Sequence, residues 1–109
     1  MMKGGMMYSK GDVVIVRFPF SDLITFKKRP MLILGYKGND VIGCAITSNP
    51  DADGVSLIDF SDGSLPFKSK AKYWNVHTIL ASVIDRKVAK ISKEIHKKVF
   101  DKVVSLMKV

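Results

Sequence analysis

Few side chains in this 109-residue chain could hold a metal or serve as nucleophile and base: two histidines, one cysteine and a scatter of aspartates. His77 and His96 are far apart in sequence and Cys44 is near neither, so no zinc-ligand spacing exists. Asp51-Ala52-Asp53-Gly54 opens like a calcium loop. Its fifth position is Val55 and its sixth is Ser56, where an oxygen-bearing side chain and a glycine are required. Neither a phosphate-cradling glycine loop nor a nucleophile elbow occurs. A lone cysteine cannot form an internal disulfide; with apolar neighbours and no flanking cation, Cys44 reads as a reduced core thiol of a cytosolic protein. These residue types leave open an activity that uses neither a metal nor a nucleotide cofactor.

The formal net charge of +8 is unevenly placed. Residues 1–67 carry seven basic and seven acidic side chains, whereas residues 68–109 carry eleven basic and three acidic ones. A basic half of this kind suits a polyanionic partner, either nucleic acid or an acidic protein segment. The opening MMKGGMMYSKGD has no continuous apolar stretch and no small-residue cleavage site, and no apolar run nears the roughly 20 residues that span a bilayer. The expectation is a soluble cytoplasmic protein with no membrane partner, a single domain over 1–109 with a flexible N-terminus over 1–9. Hydrophobic residues make up 47% of the chain, enough for a modest core without staples.

The elements that must position any site follow from patterning. Val13–Phe18 is a β-branched run, and residues 19–29 lack periodicity and read as a long hairpin loop. Pro30 then starts a second strand through Tyr36, Lys37–Asp40 is a tight turn, and Val41–Thr47 is a third strand. These three strands are nearly all apolar, which predicts burial on both faces and a closed or nearly closed sheet. A short strand is expected at Ser56–Phe60, one or two over Ser69–Asp85 and another at Arg86–Ile91. Ser92 suits an N-cap, Glu94 the first turn and Lys108 the far end of an amphipathic helix with Ile95, Val99, Val103 and Leu106/Met107 inward. With so few helices between strands, the fold class is mainly β: a small antiparallel barrel with a C-terminal α-helix.

Three segments together resemble the MazF/PemK family of toxin endoribonucleases: Gly11-Asp12-Val13-Val14-Ile15-Val16-Arg17-Phe18-Pro19-Phe20, Lys28-Arg29-Pro30-Met31-Leu32-Ile33-Leu34 and Ala45-Ile46-Thr47-Ser48-Asn49. Weaker similarity continues through Leu65-Pro66, Ser69, Asn75–Ile79 and Lys90-Ile91-Ser92. The resemblance implies an SH3-like barrel, a homodimer, and sequence-selective, metal-independent cleavage of single-stranded RNA. It also implies a cognate antitoxin whose acidic, extended tail covers the RNA groove.

In such a reaction the RNA's own 2′-hydroxyl attacks the adjacent phosphate. The resemblance carries the catalytic role onto Arg29 and Thr47. A guanidinium presents paired donors to phosphate oxygens and stays charged, and the Thr47 hydroxyl can donate to a non-bridging oxygen. Many relatives place an arginine, an acidic residue and a Gln where this chain has Lys72, Trp74 and Asn75. Lysine keeps the charge but loses the fork, and Trp74 can stack on a base or fill the core but cannot move protons. Asp22 and His77 are the substitute candidates for acid and base. Lys27, Lys28, Ser48, Asn49, Ser69, Lys72, Trp74 and Asn75 are the expected RNA contacts, with Lys68 and Lys70 as further phosphate contacts. Two other readings fit the same fold: a non-catalytic RNA-binding barrel, and a gyrase-directed toxin of the CcdB kind, whose activity lies in the C-terminal helix.

Overall fold

The computed structural model describes residues 7–19 and 26–109, with nothing assigned to the side chains of Phe18, Pro19 and Phe26. Among the described residues seven strands are formed: β1 Asp12–Pro19, β2 Phe26–Lys37, β3 Asp40–Thr47, β4 Val55–Ser56, β5 Phe60–Gly63, β6 Lys70–Leu80 and β7 Ile84–Ile91. A 3-10 turn, Ala81–Val83, precedes β7, and one α-helix, α1 Lys93–Ser105, follows it. The strands make one antiparallel sheet in the order β4-β6-β3-β2-β1-β7-β5. It curls into a half-barrel with α1 against it, so the fold is mainly β, as the patterning predicts.

Both faces of the central strands are buried, the reason their sequences are almost continuously apolar. Val13, Leu32, Cys44 and Ile46 pack with Ile95 and Val99 of α1, while Val14, Val16, Met31, Ile33 and Val41 pack on the opposite side with Tyr8 and the segment around Ala81–Val83. Fully burying one such side chain contributes about 1.5–3 kcal/mol. The sheet remains open at β4 and β5. Cys44 is fully buried, and burial pushes its thiol up to about 12, which fits an inert core residue.

Several boundaries differ from the sequence pattern. β2 begins at Phe26, so residues 26–29 of the expected loop are strand, and Pro30 lies inside β2. The proline is tolerated because pairing of β2 with β3 stops at Met31↔Ala45, leaving this end of β2 bonded to β1 alone. The short strand expected at 56–60 is two pieces, β4 and β5, on opposite edges of the sheet. Ser92 caps α1 as expected, its hydroxyl accepting the Ile95 N–H at 3.2 Å. The helix stops at Ser105, so Lys102, not Lys108, occupies its last turn.

Two local features set the register near the site. Leu34 is a one-residue bulge between the pairs Ile33↔Gly43 and Gly35↔Ile42. Gly43 is the close-approach point: a Cβ there would lie 2.5 Å from Met31 Cε and 2.6 Å from the Leu32 carbonyl oxygen. At the start of β1, the buried carboxylate of Asp12 accepts the Ser9 N–H at 2.8 Å and pairs with Lys90 at 3.2 Å and Lys87 at 3.4 Å.

Candidate active site

The β2–β3 register decides which side chains meet. Beyond the Leu34 bulge, Ile33, Leu32 and Met31 face Gly43, Cys44 and Ala45. Pairing of β2 with β3 ends at Met31↔Ala45, so Arg29 and Thr47 each lie two residues beyond the last pair, at the same end of the sheet. Arg29 and Thr47 line one cavity of about 320 Å³ at this end of the sheet, together with Ser48 and Ser69. Leu65, Pro66 and Phe67, from the segment before β6, close its other side.

The hydrogen bonding leaves usable donors there. Thr47 Oγ1 accepts the Asn49 N–H at 3.1 Å, so its own proton is left to donate outward, and accepting that bond polarises the hydroxyl. Asn49 Oδ1 in turn accepts the Asp51 N–H at 2.9 Å. Because a backbone N–H can donate only to the oxygen, the amide is oriented with its nitrogen free of this bond. Lys70, across from Thr47 on β6, donates to the carbonyls of Pro50 at 3.0 Å and Ala52 at 2.8 Å. It is therefore a clamp on the 49–52 turn, not the open phosphate contact its charge suggested. The exposed side chain of Arg29 makes no hydrogen bond or ion pair among the described residues, and the same holds for that of Lys68.

A model of the PemK-like, MazF-like toxin of type II toxin-antitoxin systems matches residues 9–107. The chain belongs to the MazF/PemK toxin family. The family is one of RNA-cleaving toxins. Solved structures agree on the fold: the MazE–MazF structure from Deinococcus radiodurans superposes with a TM-score of 0.76 at 14% identity, covering 94% of this chain and 97% of that one. The Mycobacterium tuberculosis toxin MazF-mt6 gives 0.66 at 19% identity, covering 88% and 95%. An endoribonuclease from a mycobacterial species gives 0.66 at 13% identity, covering 97% and 93%. No curated protein sequence matches the chain.

Other described candidates do not line the cavity. β6 carries Lys72, Tyr73, Trp74 and Asn75 on a bulge opposite the single residue Ala45, between the pairs Cys44↔Val76 and Ile46↔Ala71. Trp74 is 43% exposed, not a core residue; its ring meets Tyr73 edge-on at 5.0 Å, and Lys72 Nζ lies 5.9 Å from its centroid. His77 pairs with Gly43, four residues before Thr47 and thus about 13 Å along β3 at strand rise. Lys27 is exposed beyond the cavity, and Lys28 is held by Asp85 at 3.2 Å, an ion pair that lowers the Asp85 carboxyl. Asp22 lies outside the described residues.

Among the described residues no carboxylate or imidazole lines the cavity, and no group of three or more His, Cys, Asp or Glu side chains could hold a metal ion. Nor is any helix among them long and apolar enough to cross a membrane. Sequence reasoning missed Phe67. Its signal was an aromatic residue inside the polar, turn-rich stretch Asp62–Ser69 with no strand to bury it.

Proposed function

We propose that this chain is a sequence-selective, metal-independent endoribonuclease that cleaves single-stranded RNA, the toxin of a toxin–antitoxin pair acting in the cytoplasm as a homodimer of one-domain protomers. The observation that carries the reading is the sharing of one cavity by Arg29 and Thr47, each two residues past the last β2–β3 pair. A phosphate seated there meets the Arg29 guanidinium through two oxygens and the Thr47 hydroxyl through one of them. The RNA O2′ attacks phosphorus as the bond to O5′ breaks, giving a 2′,3′-cyclic phosphate and a 5′-hydroxyl. Arg29 and Thr47 aim donors at the charge that builds on the non-bridging oxygens, and each such donor contributes roughly 3–4 kcal/mol. The 2′ proton must leave and O5′ must gain one; Asp22 is the first candidate to relay them, since His77 stands off the cavity. The basic groups at this end also suit the acidic tail of a cognate antitoxin.

The test is incubation with a long single-stranded RNA in EDTA. Fragments ending in 2′,3′-cyclic phosphate, lost on Arg29→Ala and absent with a DNA copy of the cut site, are the expected result. An inert preparation at high concentration refutes the reading. The cavity's want of a described acid or base, with Lys72 and Trp74 at family positions, favours one second reading: a non-catalytic RNA binder. Tight binding without cleavage, indifferent to Thr47→Ala, identifies it.

A further inference from the structure

The cavity holding Arg29 and Thr47 adjoins a larger one of about 650 Å³, and the two share Ser48, Leu65, Pro66, Phe67 and Ser69 as lining. Phe67 stands at this junction with 71% of its surface exposed, and Ile58, 78% exposed, lines the larger chamber with it. Two large apolar side chains left this open have no role in the core. The backbone that carries the ring is tied down: Ser69 Oγ donates to the Phe67 carbonyl at 2.8 Å, closing a tight local turn. Lys68, exposed and unpaired among the described residues, and Asn49, whose amide oxygen is engaged by Asp51, supply a polar rim.

We propose that Phe67 is the stacking platform for the nucleobase next to the scissile phosphate, the base entering the larger cavity while its phosphate occupies the smaller one. This rests on the RNA-directed reading above and adds a specificity-determining residue to it. A flat apolar ring beside unpaired cations is the chemistry of single-strand recognition, where each stacked base contributes about 1–3 kcal/mol. The occupant is therefore an unpaired nucleotide and not an apolar peptide, which would leave Lys68 and Arg29 without counter-charge. Trp74, outside both cavities, is a separate surface.

The experiment measures binding of an RNA made uncleavable by a 2′-deoxy nucleotide at the cut, and single-turnover cleavage of its all-ribo parent. Phe67→Ala is expected to weaken binding about 5- to 150-fold, with Phe67→Trp restoring it. Because the side chain is largely exposed, the melting temperature should not move. Removing the base beside the cut, leaving an abasic site, should give the same loss in wild type and no further loss in Phe67→Ala. Cleavage and binding unchanged in Phe67→Ala overturn the platform while leaving the nuclease reading intact. Binding that depends on Phe67 without any cleavage keeps the platform and removes the nuclease. A wild type that neither binds nor cuts RNA overturns both.

Discussion

Replacing Thr47 by valine removes one hydroxyl and keeps the shape. In the folded protein that hydroxyl accepts the Asn49 N–H at 3.1 Å, and Asn49 is exposed, so its freed N–H turns to water. A hydrogen bond lost in that setting costs the fold under about 1 kcal/mol. The loss to catalysis is larger because the donor acts on charge that exists only in the transition state: about 10²- to 10³-fold in rate. Thr47→Ser keeps the hydroxyl and should retain most activity. The assay is single-turnover cleavage of an end-labelled single-stranded RNA, run beside thermal unfolding of each variant. A Thr47→Val protein cleaving within about threefold of wild type would refute the assignment, since a transition-state donor cannot be removed at so small a cost. A serine variant as slow as valine would refute it differently, by showing that the methyl group matters.

Asp12→Ala strips the shared carboxylate from Ser9, Lys87 and Lys90; both lysines are about a third exposed and rehydrate in part, so the expected loss is about 3 kcal/mol, read by urea unfolding. Gly43→Ala forces a methyl onto Met31 and the Leu32 carbonyl and should cost about 1–3 kcal/mol in the same measurement. His96 is held below its ordinary value by burial, with Lys90 and Lys10 adding repulsion, and its Nε2 is buried without a hydrogen-bond partner among the described residues. The unfolded chain therefore takes up the proton first, so stability is full above about pH 6.5 and declines as pH falls below it. His96→Gln should flatten that decline when melting temperatures are compared between about pH 7.5 and about pH 5.5.

The fold was legible because its signals are local. Val13–Phe18, Met31–Tyr36 and Val41–Thr47 are β-branched or apolar runs broken by Gly and Pro, and Ser92 followed by Ile95 and Val99 announces a capped amphipathic helix. Arg29 and Thr47 were found through motif resemblance alone. Their sharing of one cavity is a tertiary outcome at the unpaired ends of β2 and β3, which no residue type at either position dictates. The extension of β2 back to Phe26 was hidden because Lys27, Lys28 and Arg29 read as loop, yet a strand paired on one side can carry such residues outward. Lys70 and Lys28 show why charge alone overstates a binding surface: the first is spent on two carbonyls and the second on Asp85. Phe67 was passed over because the sequence shows an aromatic residue in a turn-rich stretch but not that its ring is left exposed.

The most direct measurement is a double-mutant cycle on cleavage, comparing Arg29→Ala, Thr47→Val and the double variant under single-turnover conditions with melting temperatures matched. Two groups acting on one phosphate are coupled, so the double variant should lose far less than the product of the single losses. Losses that multiply would place the guanidinium and the hydroxyl on different parts of the reaction and contradict the shared site.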